Sequence, residues 1–289
     1  MDNGEAFWWY ITIKAPESQE DLLYSIADAT GSIGAELREL PEGLILKAYY
    51  RASKDLESWV SRVNEAISKE PNMAIVDMGK VENRQWHVAW RDAFPPLLVG
   101  ERFVVMAPWH KGNEPAGHIP IYIYPGSAFG TGYHESTQIA LSLLSRHCRP
   151  GMTAIDVGSG SGILSIACWR LGARKVYARD VDPATLEEAR RNFELNSVEE
   201  GAIELSSGDG LTGLPVAVDL IVANILLEEL LRLIPDIGAH LKDGGVAIFS
   251  GLILKERESF LDALQRAGFY ALDELEKEEW WGVAATRSA

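Results

Sequence analysis

Hydrophobic and polar positions alternate at two different periods over the first eighty residues. Trp8-Trp9-Tyr10-Ile11-Thr12-Ile13 is rich in aromatic and β-branched residues and stops before Pro16, so it predicts a strand. Over residues 17–30 the period lengthens to that of a helix, with Leu22, Leu23, Ile26 and Ala27 on one face and Gly31 as the stop. Two short strands follow, at Ile33–Leu40 and Leu44–Tyr50, divided by the turn Pro41-Glu42-Gly43. Leu56, Trp59, Val60, Val63 and Ile67 then mark a second helix, with Ser53 as its expected N-cap, and Met73–Met78 predicts a fourth strand. The order β-α-β-β-α-β is that of a ferredoxin-like α+β domain, expected over residues 1–79.

Residues 80–95 predict a linker helix, because Trp86 and Trp90 stand four apart on one face and Pro95-Pro96 ends the run. Strand-like runs at Arg102–Met106 and Ile119–Tyr124 flank a stretch rich in Gly and Pro. Beyond residue 126, short apolar runs (Ala154–Val157, Val176–Ala178, Leu220–Ala223, Val246–Phe249) alternate with helical patterns. That alternation predicts an α/β domain with a doubly wound, Rossmann-like parallel sheet over residues 96–289.

Composition narrows the function. The chain has 289 residues, 47% hydrophobic and 24% charged, the balance of an ordinary globular protein with room for two domains. Its net charge of −15 argues against non-specific nucleic-acid binding and suits either a basic partner or solubility alone. No apolar run is long enough to cross a bilayer, and Met1-Asp2-Asn3-Gly4-Glu5 lacks a basic leader region. The only cysteines, Cys148 and Cys168, form no disulfide framework, so a reducing cytoplasm is the expected setting.

The chemistry concentrates in four segments. Asp156-Val157-Gly158-Ser159-Gly160-Ser161-Gly162 follows a strand and opens a helix, the setting of a glycine loop that lets a nucleotide-like ligand approach backbone N–H groups. The spacing Gly158, Gly160, Gly162 departs from the dinucleotide fingerprint, whose last glycine would fall at Ile163. Asp156, just before the glycines, suits a cationic cofactor and would repel a pyrophosphate, which favours S-adenosylmethionine over NAD. Asp180, at the end of the next strand, can accept both ribose hydroxyls of an adenosine, with Val181 beside it in the cofactor-binding set. Asp182-Pro183 reads instead as a helix cap. Asp209 could reach the adenine amino group, or could equally be a turn residue. Asn224 closes the strand Asp219–Asn224; its amide oxygen could accept a hydrogen bond from a substrate amine and aim the lone pair at a methyl carbon. Capping the next helix is a second role for that asparagine, compatible with the first.

The fourth segment, Pro125–Gln138, has three glycines around Phe129 and Thr131, read as a mobile loop able to close over the cofactor, with Ser136 or Thr137 in the first turn of a helix. His134 has no Cys or Asp at ligand spacing, so no metal is expected. The Asn-Pro-Pro-aromatic motif of many nucleic-acid methyltransferases is absent at Asn224-Ile225-Leu226-Leu227.

Taken together, Ala128-Phe129-Gly130-Thr131-Gly132 with His134 and Thr137, Ile155–Leu164, Asp180-Val181-Asp182-Pro183, Val222–Leu226 and Ser250–Leu254 resemble the PrmA family, methyltransferases of large-subunit ribosomal protein L11. Trp86, Trp90 and Glu278-Glu279-Trp280-Trp281 share in the likeness. The resemblance implies S-adenosylmethionine as cofactor, with contacts at Thr137, Gly158, Asp180 and Asn224. It also implies a ferredoxin-like domain that binds the ribosomal protein, and methylation of lysine or N-terminal amines. A class I methyltransferase acting on lysine of a different protein is the alternative. The family's usual Gly-Thr-His-Pro-Thr-Thr is replaced here by Gly132-Tyr133-His134-Glu135-Ser136-Thr137, which predicts an altered lid.

Overall fold

The computed structural model describes residues 7–287 apart from 17–18, 41–42, 69, 71, 83–93, 127 and 216. The chain divides into two units, Met1–Ala93 and Phe94–Ala289.

In the first unit, β1 (Phe7–Ala15) sends Ile11, Ile13 and Ala15 into the core, the period-2 alternation of a half-buried strand. It pairs antiparallel with β3 (Gly43–Arg51) and β4 (Ala74–Glu82), and β2 (Gly34–Leu40) flanks β3, giving the order β2-β3-β1-β4. The helices α1 (Glu20–Thr30) and α2 (Leu56–Ile67) bury Leu23, Ile26, Trp59 and Val63 against Leu44, Leu46 and Tyr50. α1 ends at Gly31, whose φ of +89° is a left-handed C-cap. The expected N-cap of α2 is corrected from Ser53 to Asp55, whose carboxylate accepts the Ser58 N–H at 2.7 Å. A carboxylate beside the positive helix end is the better cap, and Ser53 lies two residues too early to reach that N–H. β4 extends to Glu82, so the first residues of the expected linker helix are strand; Trp86, Trp90 and the turn residues Pro41 and Glu42 lie outside the described residues.

The second unit opens with a three-stranded sheet of β5 (Leu97–Val99), β6 (Phe103–Met106) and β7 (Ile119–Tyr122). After α3 (Glu135–His147) comes the doubly wound sheet: β8 (Thr153–Val157), α4 (Ile163–Arg170), β9 (Lys175–Asp180), α5 (Pro183–Leu195), β10 (Ile203–Ser207), β11 (Val218–Asn224), α6 (Leu227–His240), β12 (Leu241–Ile253), α7 (Arg257–Arg266), β13 (Phe269–Lys277) and β14 (Trp280–Arg287). The strand order is β10-β9-β8-β11-β12-β14-β13, parallel through β12 and antiparallel over the last two. Neighbouring residues of one strand serve opposite cores. Leu220 and Val222 join Ile139, Leu143 and Ile166 on one face, while Ile221 and Ala223 join Leu230, Ile237 and Phe260 on the other. Burial on both faces explains why these strands read as unbroken apolar runs.

Two buried asparagines tie the small sheet to α5. Asn196 accepts from Tyr122 N at 2.9 Å and donates to Tyr122 O at 2.6 Å, and Asn192 accepts from Tyr124 N at 3.0 Å. Asn192 also donates to Ser161 O at 2.9 Å, so the same helix steadies the glycine loop. Among the described residues, no helix is long and apolar enough to cross a membrane.

Candidate active site

The chain leaves β8, winds outward through β9 and β10, then crosses back to lay β11 beside β8. Where strand order reverses, the loops after neighbouring strands diverge and a crevice opens at their carboxyl ends. A cavity of about 410 Å³ lies there, walled by Val157, Asp180, Asn224 and Gly251 from the ends of β8, β9, β11 and β12.

Gly158, Gly160 and Gly162 all have φ between +50° and +80°, which only glycine adopts without strain. Space is equally restrictive. A Cβ on Gly158 would sit 2.4 Å from Ile225 Cγ2, and one on Gly160 would sit 2.5 Å from the Phe129 carbonyl oxygen. Asp180 braces this loop, accepting from Gly160 N at 2.8 Å and, on its other oxygen, from Asp182 N at 3.0 Å. Each carboxylate oxygen retains a lone pair. Asp182 itself caps α5 through Ala184 N at 2.8 Å.

Asn224 presents the most telling polar atom. Its Nδ2 donates to Thr137 Oγ1 at 3.3 Å, whereas its Oδ1 is buried and has no partner. A buried carbonyl oxygen left unpaired is costly, which marks the place where a ligand donor belongs. The helix-capping role expected for the same residue is not what the structure shows: α6 has Leu226 as N-cap and no side-chain cap.

The residues read from sequence divide into two groups. Phe129, Gly158, Gly160, Asp180, Val181, Asp209 and Asn224 line the cavity. Thr131, Thr137, Asp156 and Gly162 are not part of its lining. Asp156 is fully buried beneath the loop, takes the Ser165 hydroxyl at 2.6 Å, and keeps Oδ1 unpaired. Burial, helped by the charge of Asp180, pushes its carboxyl up to about 7. Asp209 is engaged by the guanidinium of Arg232 through two bonds of 2.7 Å, which holds its carboxyl below the usual range.

The loop before α3 is hydrogen-bonded to the glycine loop. Ser161 N donates to Phe129 O at 2.9 Å and Ser161 Oγ to Gly130 O at 2.6 Å. A Cβ on Gly132 would meet Val105 Cγ1 at 2.7 Å, so these glycines allow close packing at positive φ. Phe129 is left 53% exposed and turned to the cavity.

Sequence reasoning missed part of the wall. His134 caps α3, its Nδ1 accepting from Ser136 N at 3.2 Å, and its ring meets Trp280 at 4.5 Å and Phe129 at 5.1 Å. Trp280 and Gly251 belong to segments whose likeness was noted without a role. Arg179 and Thr185 flank Asp180 and Asp182 in the chain but carry no motif of their own, and Arg232 reaches the cavity from α6. Among the described residues, no group of three or more His, Cys, Asp or Glu side chains is arranged to hold a metal.

A sheet of this order, a Gly-x-Gly-x-Gly loop, a carboxylate at the end of the second parallel strand and an unpaired amide oxygen at the rim of the fourth define a class I S-adenosylmethionine-dependent methyltransferase. Residues 8–288 match the sequence profile of the family described as ribosomal protein L11 methyltransferase (PrmA), and the chain belongs to that family. The L11 methyltransferase of Caldanaerobacter subterraneus is 36% identical over 86% of this chain and 81% of its own length; that of Geobacillus kaustophilus is 38% identical over 85% and 81%. The solved ribosomal protein L11 methylase of Lactobacillus delbrueckii is similar over 68% of this chain and all of its own, with a TM-score of 0.63 and 33% identity.

Proposed function

We propose that this enzyme methylates amino groups of ribosomal protein L11, lysine side chains or the N-terminal amine, with Asn224 as the group that holds the acceptor nitrogen. The observation that carries the reading is the buried, unpaired Oδ1 of Asn224 at the cavity wall, with its amide fixed from behind by Thr137. The residues present fit the cofactor. Gly158 and Gly160 carry no side chain where they line the cavity, so a ligand can lie close to their backbone, and Asp180 keeps lone pairs for ribose hydroxyls beside an aromatic wall.

When bound, S-adenosylmethionine supplies a methyl group on a positively charged sulfur. The chain's part is alignment. Asn224 Oδ1 accepts one amine N–H and so fixes the direction of the nitrogen lone pair. Only an uncharged amine can attack, and Phe129, His134 and Trp280 favour that form by excluding water from the nitrogen. No strong base is required at the nitrogen.

The first unit is proposed as the recognition domain for the ribosomal protein. Its residues 1–79 hold 7 Lys/Arg against 14 Asp/Glu, a balance that favours a basic partner. The two cysteines are free and buried, in keeping with work in a reducing cytoplasm. Incubating the enzyme with purified L11 and isotope-labelled cofactor, then reading the peptides by mass spectrometry, tests the assignment. Label on lysine or N-terminal peptides of L11 supports it; an L11 that stays unlabelled while other proteins take up label removes the substrate and leaves the chemistry.

A further inference from the structure

Tyr133 is a residue that methyl transfer leaves without a role. Its hydroxyl donates to the carbonyl oxygen of Pro95, and its ring meets Phe94 edge to face at 5.6 Å. Phe94 is held in turn, its carbonyl 3.0 Å from the His110 ring nitrogen. The backbone carbonyl of Tyr133 accepts from Gln138 Nε2 at 2.8 Å, and Gln138 Oε1 takes a further bond from Lys277. Tyr133 is thus tied at both ends. Burial pushes its phenol up to about 12, so the hydroxyl keeps its proton at neutral pH. The next residue, His134, is the cap of α3 whose ring packs against Phe129 and Trp280 in the cavity wall.

We propose that Tyr133 is a positioning residue that clamps the lid segment to Phe94-Pro95 and thereby holds His134, Phe129 and Trp280 as a preformed wall over the methyl-transfer cavity. The proposal rests on that cavity being the site of S-adenosylmethionine and the amine. The physical need is clear from the loop itself. Gly130 and Gly132 sit at φ of +98° and +92°, and a segment with such backbone freedom loses much entropy when it orders around a ligand. A loop ordered beforehand avoids that loss on binding. A side chain shorter than tyrosine at position 133 would lack the reach to make the Pro95 bond.

Replacing the hydroxyl alone is the test. Tyr133→Phe keeps the ring against Phe94 and removes one neutral hydrogen bond, which should speed amide exchange in the peptide 128–134 of the ligand-free full chain about fivefold. Gln138→Met, which cuts the other tie, should move the same peptide in the same direction. With p-aminophenylalanine at 133, a donor is present again and protection should return. In calorimetry, S-adenosylhomocysteine should bind Tyr133→Phe several-fold more weakly than the wild type, and the KM for the cofactor should rise more than kcat falls. Exchange unchanged in Tyr133→Phe overturns the clamp. Faster exchange with unaltered affinity overturns its positioning role. Failure of the wild type itself to bind S-adenosylhomocysteine would instead remove the reading of the cavity, with the clamp still judged by exchange.

Discussion

In the four-stranded sheet the buried polar groups answer one another. Thr30 Oγ1 and the Tyr50 hydroxyl lie 2.9 Å apart beneath the helices, and the Tyr49 hydroxyl donates to Glu36 at 2.9 Å. Among the described residues of that unit, Gln19 Oε1 is the one buried side-chain oxygen without a partner. The carboxyl rim of the seven-stranded sheet is different. Asp156 Oδ1 in β8, Ser159 Oγ in the loop after it and Asn224 Oδ1 at the end of β11 are buried and unpaired. Antiparallel hairpins return the chain at once and leave polar ends in short turns. Parallel strands direct all their carboxyl ends to one rim, where helices must begin and the loops diverge. Of the three residues with unpaired atoms, only Asn224 belongs to the cavity wall, whereas Asp156 and Ser159 lie outside its lining.

That contrast can be broken most forcefully at Asp156. Its folded-state carboxyl lies near 7 against an ordinary 3.8, so the native protein holds a proton that the unfolded chain has lost. The native state therefore loses stability as pH rises from about 4 to 7, by an amount on the order of 4 kcal/mol for a fully buried group. Asp156→Asn should abolish that slope, which urea unfolding at several pH values would reveal; an identical slope in the variant would show that another group carries it. Next in size, Asn224→Ala should lower turnover about 10²-fold through lost alignment while calorimetry finds cofactor affinity little changed. Turnover equal to the wild type would remove Asn224 from the chemistry.

Asp180→Ala should act on binding instead, weakening S-adenosylmethionine roughly tenfold because a charge-assisted contact is lost. Unaltered affinity by calorimetry would reassign Asp180 to bracing Gly160 alone. The smallest effect belongs to the first unit. Thr30→Val leaves the buried Tyr50 hydroxyl unpaired and should cost about 1 kcal/mol in urea unfolding, with cofactor affinity unmoved. A change in affinity there would dissolve the distinction between the two sheets.

Much of this was legible along the chain because the signals are local. Gly31, the apolar stripe of α2 and the run Leu220–Ala223 each express a backbone or burial requirement within a few residues. Asp182 was legible as a cap for the same reason. Other elements were not. β5 is only Leu97–Val99, directly after two prolines, and β13 is an edge strand whose Asp273, Glu274 and Glu276 erase any hydrophobic alternation. The glycines around Phe129 announced freedom, yet their reason is close packing against Ser161 and Val105, which no single segment records.

The sequence alone determined the glycine loop, the carboxylate at Asp180, the amide at Asn224 and the order of elements that brings them to one rim, because spacing and periodicity are properties of the chain. Only the tertiary structure decided that Asp156 lies beneath the loop instead of in the cavity, that Thr137 turns the Asn224 oxygen outward, and that His134 and Trp280, far apart in the chain, share a wall. The physical reason is that exposure and the pairing of buried polar atoms depend on which strands and loops become neighbours.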